Sequence, residues 1–282
     1  MISRDLPRSL QSFIIAIVIA LLSFAAAIPA QSQSNDKGEG ELVKEPPKGI
    51  TPDQVIQKFA AREKEFQQAR DNYTYRQDVK VQTIDEDTPD GEYEQVVDIL
   101  FDDQGRRIEN VIYAPQSTLQ RISMTREDEE DIQKLMPFVL TTEEIPEYNI
   151  TYLGQQKEDE LNTYVFDINP KQIERKKRRF QGRIWVDDHD FQIVKTYGKA
   201  VPDAFETSGG GENVFPKFTT YREQIDGKYW FPTYTLADDM LHFKNARDVH
   251  IREIVKYNNY KRFEAKSRII YEGQELPPKP KD

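Results

Sequence analysis

The residues able to do chemistry in this chain are few. It has three histidines, His189, His242 and His250, and no cysteine. Thiol catalysis and iron–sulfur binding are therefore excluded. His189 falls in the run Asp187-Asp188-His189-Asp190. Four such residues can hold a cation, but aspartate also favours turns through local backbone bonds. A calcium loop needs a longer ligand series, so the run reads as a hairpin turn. His242 follows Asp238 and Asp239, the ingredients of a metal or acid/base site. No second histidine stands at the helical spacing of a zinc site. His250 lies in a strand pattern and reads as a surface residue. Gly209-Gly210-Gly211 lacks the Lys-Ser/Thr of a phosphate loop, and no Gly-x-Ser-x-Gly elbow occurs. Carboxylates are abundant, yet nothing marks one pair over another. The expectation is no catalytic residue, no metal and no cofactor: a binding protein rather than an enzyme.

Two other features invite a binding role. Arg175-Lys176-Lys177-Arg178-Arg179 is a basic run on a chain of net charge −10. It could dock a lipid headgroup, an acidic partner or an acidic lid; equally, edge strands and loops carry such residues for protection. The acidic balance of the whole argues against nucleic-acid binding. Fourteen tyrosines and fifteen phenylalanines recur with strand parity. On a curled sheet they line a wide apolar face able to take an acyl chain; on any sheet they also pack a core.

These residues depend on a predominantly β scaffold. Residues 1–32 have the order of a secretory signal: Arg4 and Arg8, an apolar run from Phe13 to Ile28, then small residues up to a cut after Ser32. An uncleaved anchor is the alternative. Residues 33–50, with Pro46, Pro47 and several glycines, read as a flexible leader. Thr51, Pro52 and Gln54 give a helix cap, first turn and capping box, and Val55, Phe59, Arg62 and Phe66 form a stripe, widened by Ile56, Ala60 and Glu63, whose face should be buried. Alternating runs follow: 73–81, 95–101, 108–113, 148–156, 161–168, 180–186, 193–197, 218–225, 229–236 and 249–260. Asp226-Gly227 predicts a two-residue type I′ hairpin. Thr125 with Asp128 caps a second helix carrying Ile132, Leu135 and Met136. Residues 204–213 are a glycine-rich break. One domain over 51–271 is expected, a large curled antiparallel sheet with two helices on one face, followed by a disordered tail over 272–282.

The unit Gly182-Arg183-Ile184-Trp185-Val186-Asp187-Asp188-His189-Asp190-Phe191-Gln192-Ile193-Val194-Lys195 and the later Asp226-Gly227-Lys228-Tyr229-Trp230-Phe231-Pro232-Thr233 resemble the LolA-like superfamily, the periplasmic lipoprotein-sorting carriers and their RseB-like relatives. The resemblance implies an α+β, mainly antiparallel fold: an open, incomplete β-barrel with helices packed on the concave face. It also implies a periplasmic carrier for acyl chains of lipoproteins or lipids, working with an envelope membrane complex. The candidate lining is Phe59, Phe66, Tyr73, Tyr75, Ile184, Val186, Tyr229 and Phe231, with Arg175, Lys176, Lys177, Arg178 and Arg179 as the dock. Two rival expectations stand beside it. One is an envelope protein-binding or stress-sensing module without lipid cargo; the other is a metal-assisted hydrolase around Asp238, Asp239 and His242.

Overall fold

Ten strands form one antiparallel sheet among the residues described by the computed structural model, which are 39–102, 104–174, 177–202, 214–244 and 246–263. The expected signal segment 1–32, residues 33–38 of the expected leader, Arg175 and Lys176, the expected glycine-rich break and the expected tail over 272–282 lie outside them. Helix α1 spans Pro52–Arg70 and opens as the sequence predicts: Thr51 accepts from the Gln54 N–H, and the Gln54 side chain returns the bond. Strands β1 (Tyr73–Asp85), β2 (Thr88–Phe101) and β3 (Arg107–Tyr113) then run outward to one edge. Helix α2 (Arg126–Lys134) follows, also with a capping box, formed by Thr125 and Asp128. A 3-10 turn at Ile145–Glu147 leads into β4 (Tyr148–Glu158) at the opposite edge. Strands β5 (Leu161–Pro170), β6 (Arg179–Asp187), β7 (Ile193–Val201), β8 (Phe218–Gln224), β9 (Trp230–Leu241) and β10 (Val249–Arg262) return, and β10 pairs with β1.

This order forces one segment to cross the sheet. Since β3 and β4 are the two edges, residues 114–147 travel from one to the other. The crossing buries Ile132, Met136, Phe138 and Leu140 against the same core as Val55, Phe59 and Ala60 of α1. Val79 and Val81 of β1 meet Phe166 of β5 and Ile184 of β6 in that core, so the sheet is curled around its cover. It remains open, because β3 and β4 do not pair. Phe138 stacks on Phe180 at 4.3 Å, and Phe59 meets Phe166 at 5.6 Å.

The outer face differs along its width. Over β1 and β2 it is a ladder of ion pairs, with Arg76 2.8 Å from Asp98 and Lys80 2.7 Å from Glu94. Over β5 to β7 it carries an apolar cluster of Val165, Trp185 and Val194, with Leu42 packed on it. Leu42 belongs to the expected leader, whose residues 39–50 form a strap on the β4 edge. The Gly40 N–H donates to Lys157 O at 2.7 Å, and Val43 and Gln155 exchange bonds of 2.8 and 2.9 Å. Gly154 permits this approach: its φ is +150°, and a Cβ there would stand 2.4 Å from Val43 O.

Two turns differ from the sequence expectation. The β8–β9 connection is a five-residue loop, since Gln224 pairs with Trp230. Asp226 Oδ1 accepts from the Lys228 and Tyr229 N–H groups, each at 3.0 Å, and its other oxygen accepts from the Tyr73 hydroxyl. These side-chain bonds hold a wider loop than Asp-Gly alone dictates. The two-residue turn with positive φ occurs instead at Glu86 (44°) and Asp87 (70°), between β1 and β2.

Candidate functional site

Between the crossing segment and the concave sheet lies a cavity of about 460 Å³. Val81 of β1, Ala200 of β7, Phe218 of β8, Leu241 of β9 and Ile251 of β10 form its floor. Ile122, Met124 and Met136 of the crossing cover it, and Phe215 and Phe243 close the side. The sheet supplies these floor positions by strand parity: Val249, Ile251, Val255 and Tyr257 alternate into the interior along β10. The cover is fixed from below by Thr220, whose hydroxyl donates to Met136 O at 2.8 Å.

The polar side of the cavity is acidic. Asp128 and Asp131 stand one turn apart on α2, and both line it. Asp128 is held by the Thr125 N–H and hydroxyl at 2.8 and 2.7 Å. Asp131 pairs with Arg178, whose guanidinium sits 3.3 Å from the Phe215 ring centre. Burial pushes the Asp131 carboxyl up to about 7, Arg178 opposing and Asp128 and Glu130 reinforcing. Arg121 also lines the cavity but is committed to Asp90 at 2.8 Å. Glu253 occupies the β10 parity position between Ile251 and Val255 and is 6% exposed. Among the described residues its carboxyl has no hydrogen-bonding or ionic partner. Burial, with Asp128 and Asp131 nearby, pushes it up to about 8.

Of the eight residues expected to line a ligand site, six are buried in the core and Tyr75 and Tyr229 are half-buried at its margin. Phe59, Ile184 and Val186 belong to the main core, with Tyr75 packed on it. Phe66, Tyr73 and Phe231 form a second cluster with Val139, and Tyr229 packs against that. None of the eight borders the 460 Å³ cavity. Of the basic run, Lys177 pairs with Glu147, Arg178 with Asp131, and Arg179 with Glu147 and Glu174. These three cations thus tie β6 and the residues before it to the crossing segment and its neighbours.

The histidine neighbourhoods are likewise occupied. Asp187 Oδ2 accepts from the His189 and Asp190 N–H groups at 3.1 and 2.6 Å, as a hairpin turn requires. Asp190 accepts from Trp230 Nε1 at 3.3 Å and lies 3.0 Å from His189 Nδ1. His242 pairs with Asp248, whereas Asp238 serves His250 and Arg252 and Asp239 caps Lys217. The Asp238, Asp239 and His242 set is therefore divided among separate partners.

Two buried ion pairs escaped the sequence reading. Glu63 of α1 meets Arg222 of β8 at 3.1 Å, and neither side chain is more than 1% exposed. Lys195, on the outer face, pairs with Glu158 at 2.9 Å and with Glu39 of the strap at 2.6 Å. Burial pulls the Lys195 ammonium down, but these two partners outweigh it and hold it above its ordinary value. A glutamate at the apolar parity of 249–257 was the available signal for Glu253. Glu63 gave one too, interrupting the buried stripe of α1.

No family model matches the chain, and no curated protein does. Similar solved structures include a DUF1329 family protein from Desulfovibrio piger, with a TM-score of 0.39 and 13% identity over 74% of this chain and 92% of that one. A LolA superfamily protein from Nitrosomonas europaea gives 0.34 and 15% over 72% and 94%. An outer membrane lipoprotein-sorting protein domain from Vibrio parahaemolyticus gives 0.32 and 11% over 74% and 93%.

Proposed function

We propose that this chain is an exported binding protein that holds the hydrocarbon chain of a lipid or an acylated protein between its curled sheet and the crossing segment. The observation that carries the reading is the cavity of about 460 Å³ walled by five strands and the cover. Ligand pockets span roughly 300–1,000 Å³ and are mostly apolar with a few placed polar groups. Each methylene transferred there contributes about 0.8 kcal/mol, so ten give about 8 kcal/mol before the entropy of binding is subtracted. The order of residues 1–32 supports export. Among the described residues no helix is long and apolar enough to cross a membrane.

Native mass spectrometry of the chain with added dodecanol tests this. One adduct per chain is expected for the natural sequence. Ala200→Phe and Ile251→Trp, which fill the cavity from two strands, remove it while leaving the circular dichroism unchanged. Absence of an adduct in the natural sequence, or undiminished uptake by both folded variants, refutes the reading.

One observation favours a protein-binding module instead. Edge strand β3 exposes Ile108, Val111, Ile112 and Tyr113, each 45–53% accessible. An unpaired apolar edge can accept a partner strand. That reading gains if dodecanol fails to bind.

A further inference from the structure

Resting on the cavity reading above, we propose that the bound amphiphile carries an ammonium head, which Glu253 receives with Asp128 and Asp131 while the apolar walls take its chain. A slot meant for hydrocarbon alone has no use for a carboxylate at the β10 position between Ile251 and Val255. Its neighbours across the sheet are Val81 of β1 and Ala237 of β9, both apolar and both buried. Burying a carboxyl without a partner is costly, and such groups are few in native proteins and concentrate at functional clefts.

The partner is not already in the cavity wall. Arg121, which lines the cavity, is engaged by Asp90, and Arg178 is engaged by the lining residue Asp131. The remaining charged lining residues are Glu127 and Asp128, so the sign of the cavity is negative. A fatty carboxylate entering it adds like charge beside Glu127 and Asp128, and a hydroxyl head can hydrogen-bond to Glu253 but brings no opposite charge. A primary ammonium offers three donors and a full positive charge. Its bond to a carboxylate is roughly twice as strong as a neutral one. Glu253 is 6% exposed and faces the cavity, a place where that bond is shielded from bulk water.

The test is isothermal titration of the full chain at 150 mM salt and pH 7.5 with dodecylammonium chloride, dodecanol and sodium dodecanoate. Dodecylammonium is expected to bind at least tenfold more tightly than dodecanol, with dodecanoate weakest. Glu253→Gln should remove that preference, so that dodecylammonium and dodecanol bind this variant within about twofold of each other. Equal affinity for ammonium and alcohol overturns the ammonium head and leaves the cavity reading standing. So does a preference that survives Glu253→Gln, since it reports only attraction to an acidic surface. Failure of all three to bind sinks both. The comparison of heads in the natural sequence does not depend on any variant folding.

Discussion

Replacing Arg222 by alanine strands a carboxylate at the centre of the fold. Arg222 Nη1 lies 3.1 Å from both Glu63 oxygens, and its other terminal nitrogen donates to Phe138 O. Without it, Glu63 keeps one bond, from the Ile193 N–H at 3.2 Å. Breaking a buried pair from one side costs about 3–5 kcal/mol. Glu63 can escape by binding a proton. For a carboxyl with an ordinary value of 4.5, protonation at pH 7 costs about 3 kcal/mol, and at pH 5 under 1. The loss at pH 7 is therefore about 3–5 kcal/mol, roughly a fifth or more of a typical domain's stability. At pH 5 it shrinks to the orphaned Phe138 carbonyl and the lost packing, about 2 kcal/mol. The sign follows from linkage: the variant's folded state holds a proton that its unfolded state releases above pH 4.5, so its stability falls as pH rises. Urea unfolding, followed by the fluorescence of Trp185 and Trp230 at both pH values, measures this. The double variant Glu63→Leu with Arg222→Met should recover most of the loss, because apolar side chains need no partner. A loss under 1 kcal/mol at pH 7, or equal losses at both pH values, refutes the reasoning.

Two further outcomes are expected. Glu253 is held up to about 8, so the folded chain retains a proton that the unfolded chain releases above pH 4.5, and stability drains away between pH 4.5 and 8. With Asp128 and Asp131 facing the same space, Glu253→Gln should raise the melting temperature increasingly across that window, by several kcal/mol in stability at pH 9 and little at pH 4; parallel curves for the two proteins would contradict this. Gly154→Ala places a Cβ 2.4 Å from Val43 O at a φ of +150°, which should destabilise the chain by about 1–3 kcal/mol. It should also expose residues 39–50 to limited proteolysis, and unchanged cleavage there would count against the strap's close approach.

Much of the scaffold was legible because it is written in local chemistry. Thr51 with Gln54 and Thr125 with Asp128 mark both helix starts, and strand parity places Val79, Phe166 and Ile184 on the inner face. The site was less legible because parity says which side of a strand a residue takes, not what stands opposite. Tyr73 and Phe231 share a face with the cavity-lining residues yet are taken up by Phe66 of α1, at 5.1 Å from Phe231. What empties the space around Leu241 and Ile251 is the path of residues 114–147, which no short-range pattern encodes. The Asp226-Gly227 turn was misjudged for the same reason: Tyr73, far away in sequence, bonds to Asp226.

The unequal outer face carries a mechanical consequence. Strands β5 to β7 are clamped between the main core and the Val165, Trp185 and Leu42 layer, whereas β1 and β2 have only a solvated ladder of charges behind them. The β5–β7 side of the sheet is a stiff plate and the β1–β3 side a compliant wing, so amide hydrogen exchange should be slowest in β6 and fastest in β3. A guest reaching Val81, Ile251 and Glu253 enters on the hinge side of that plate. On the proposed reading, the work of admitting it would fall on the β1 and β2 side, while the strap and the buried Lys195 hold the other half still.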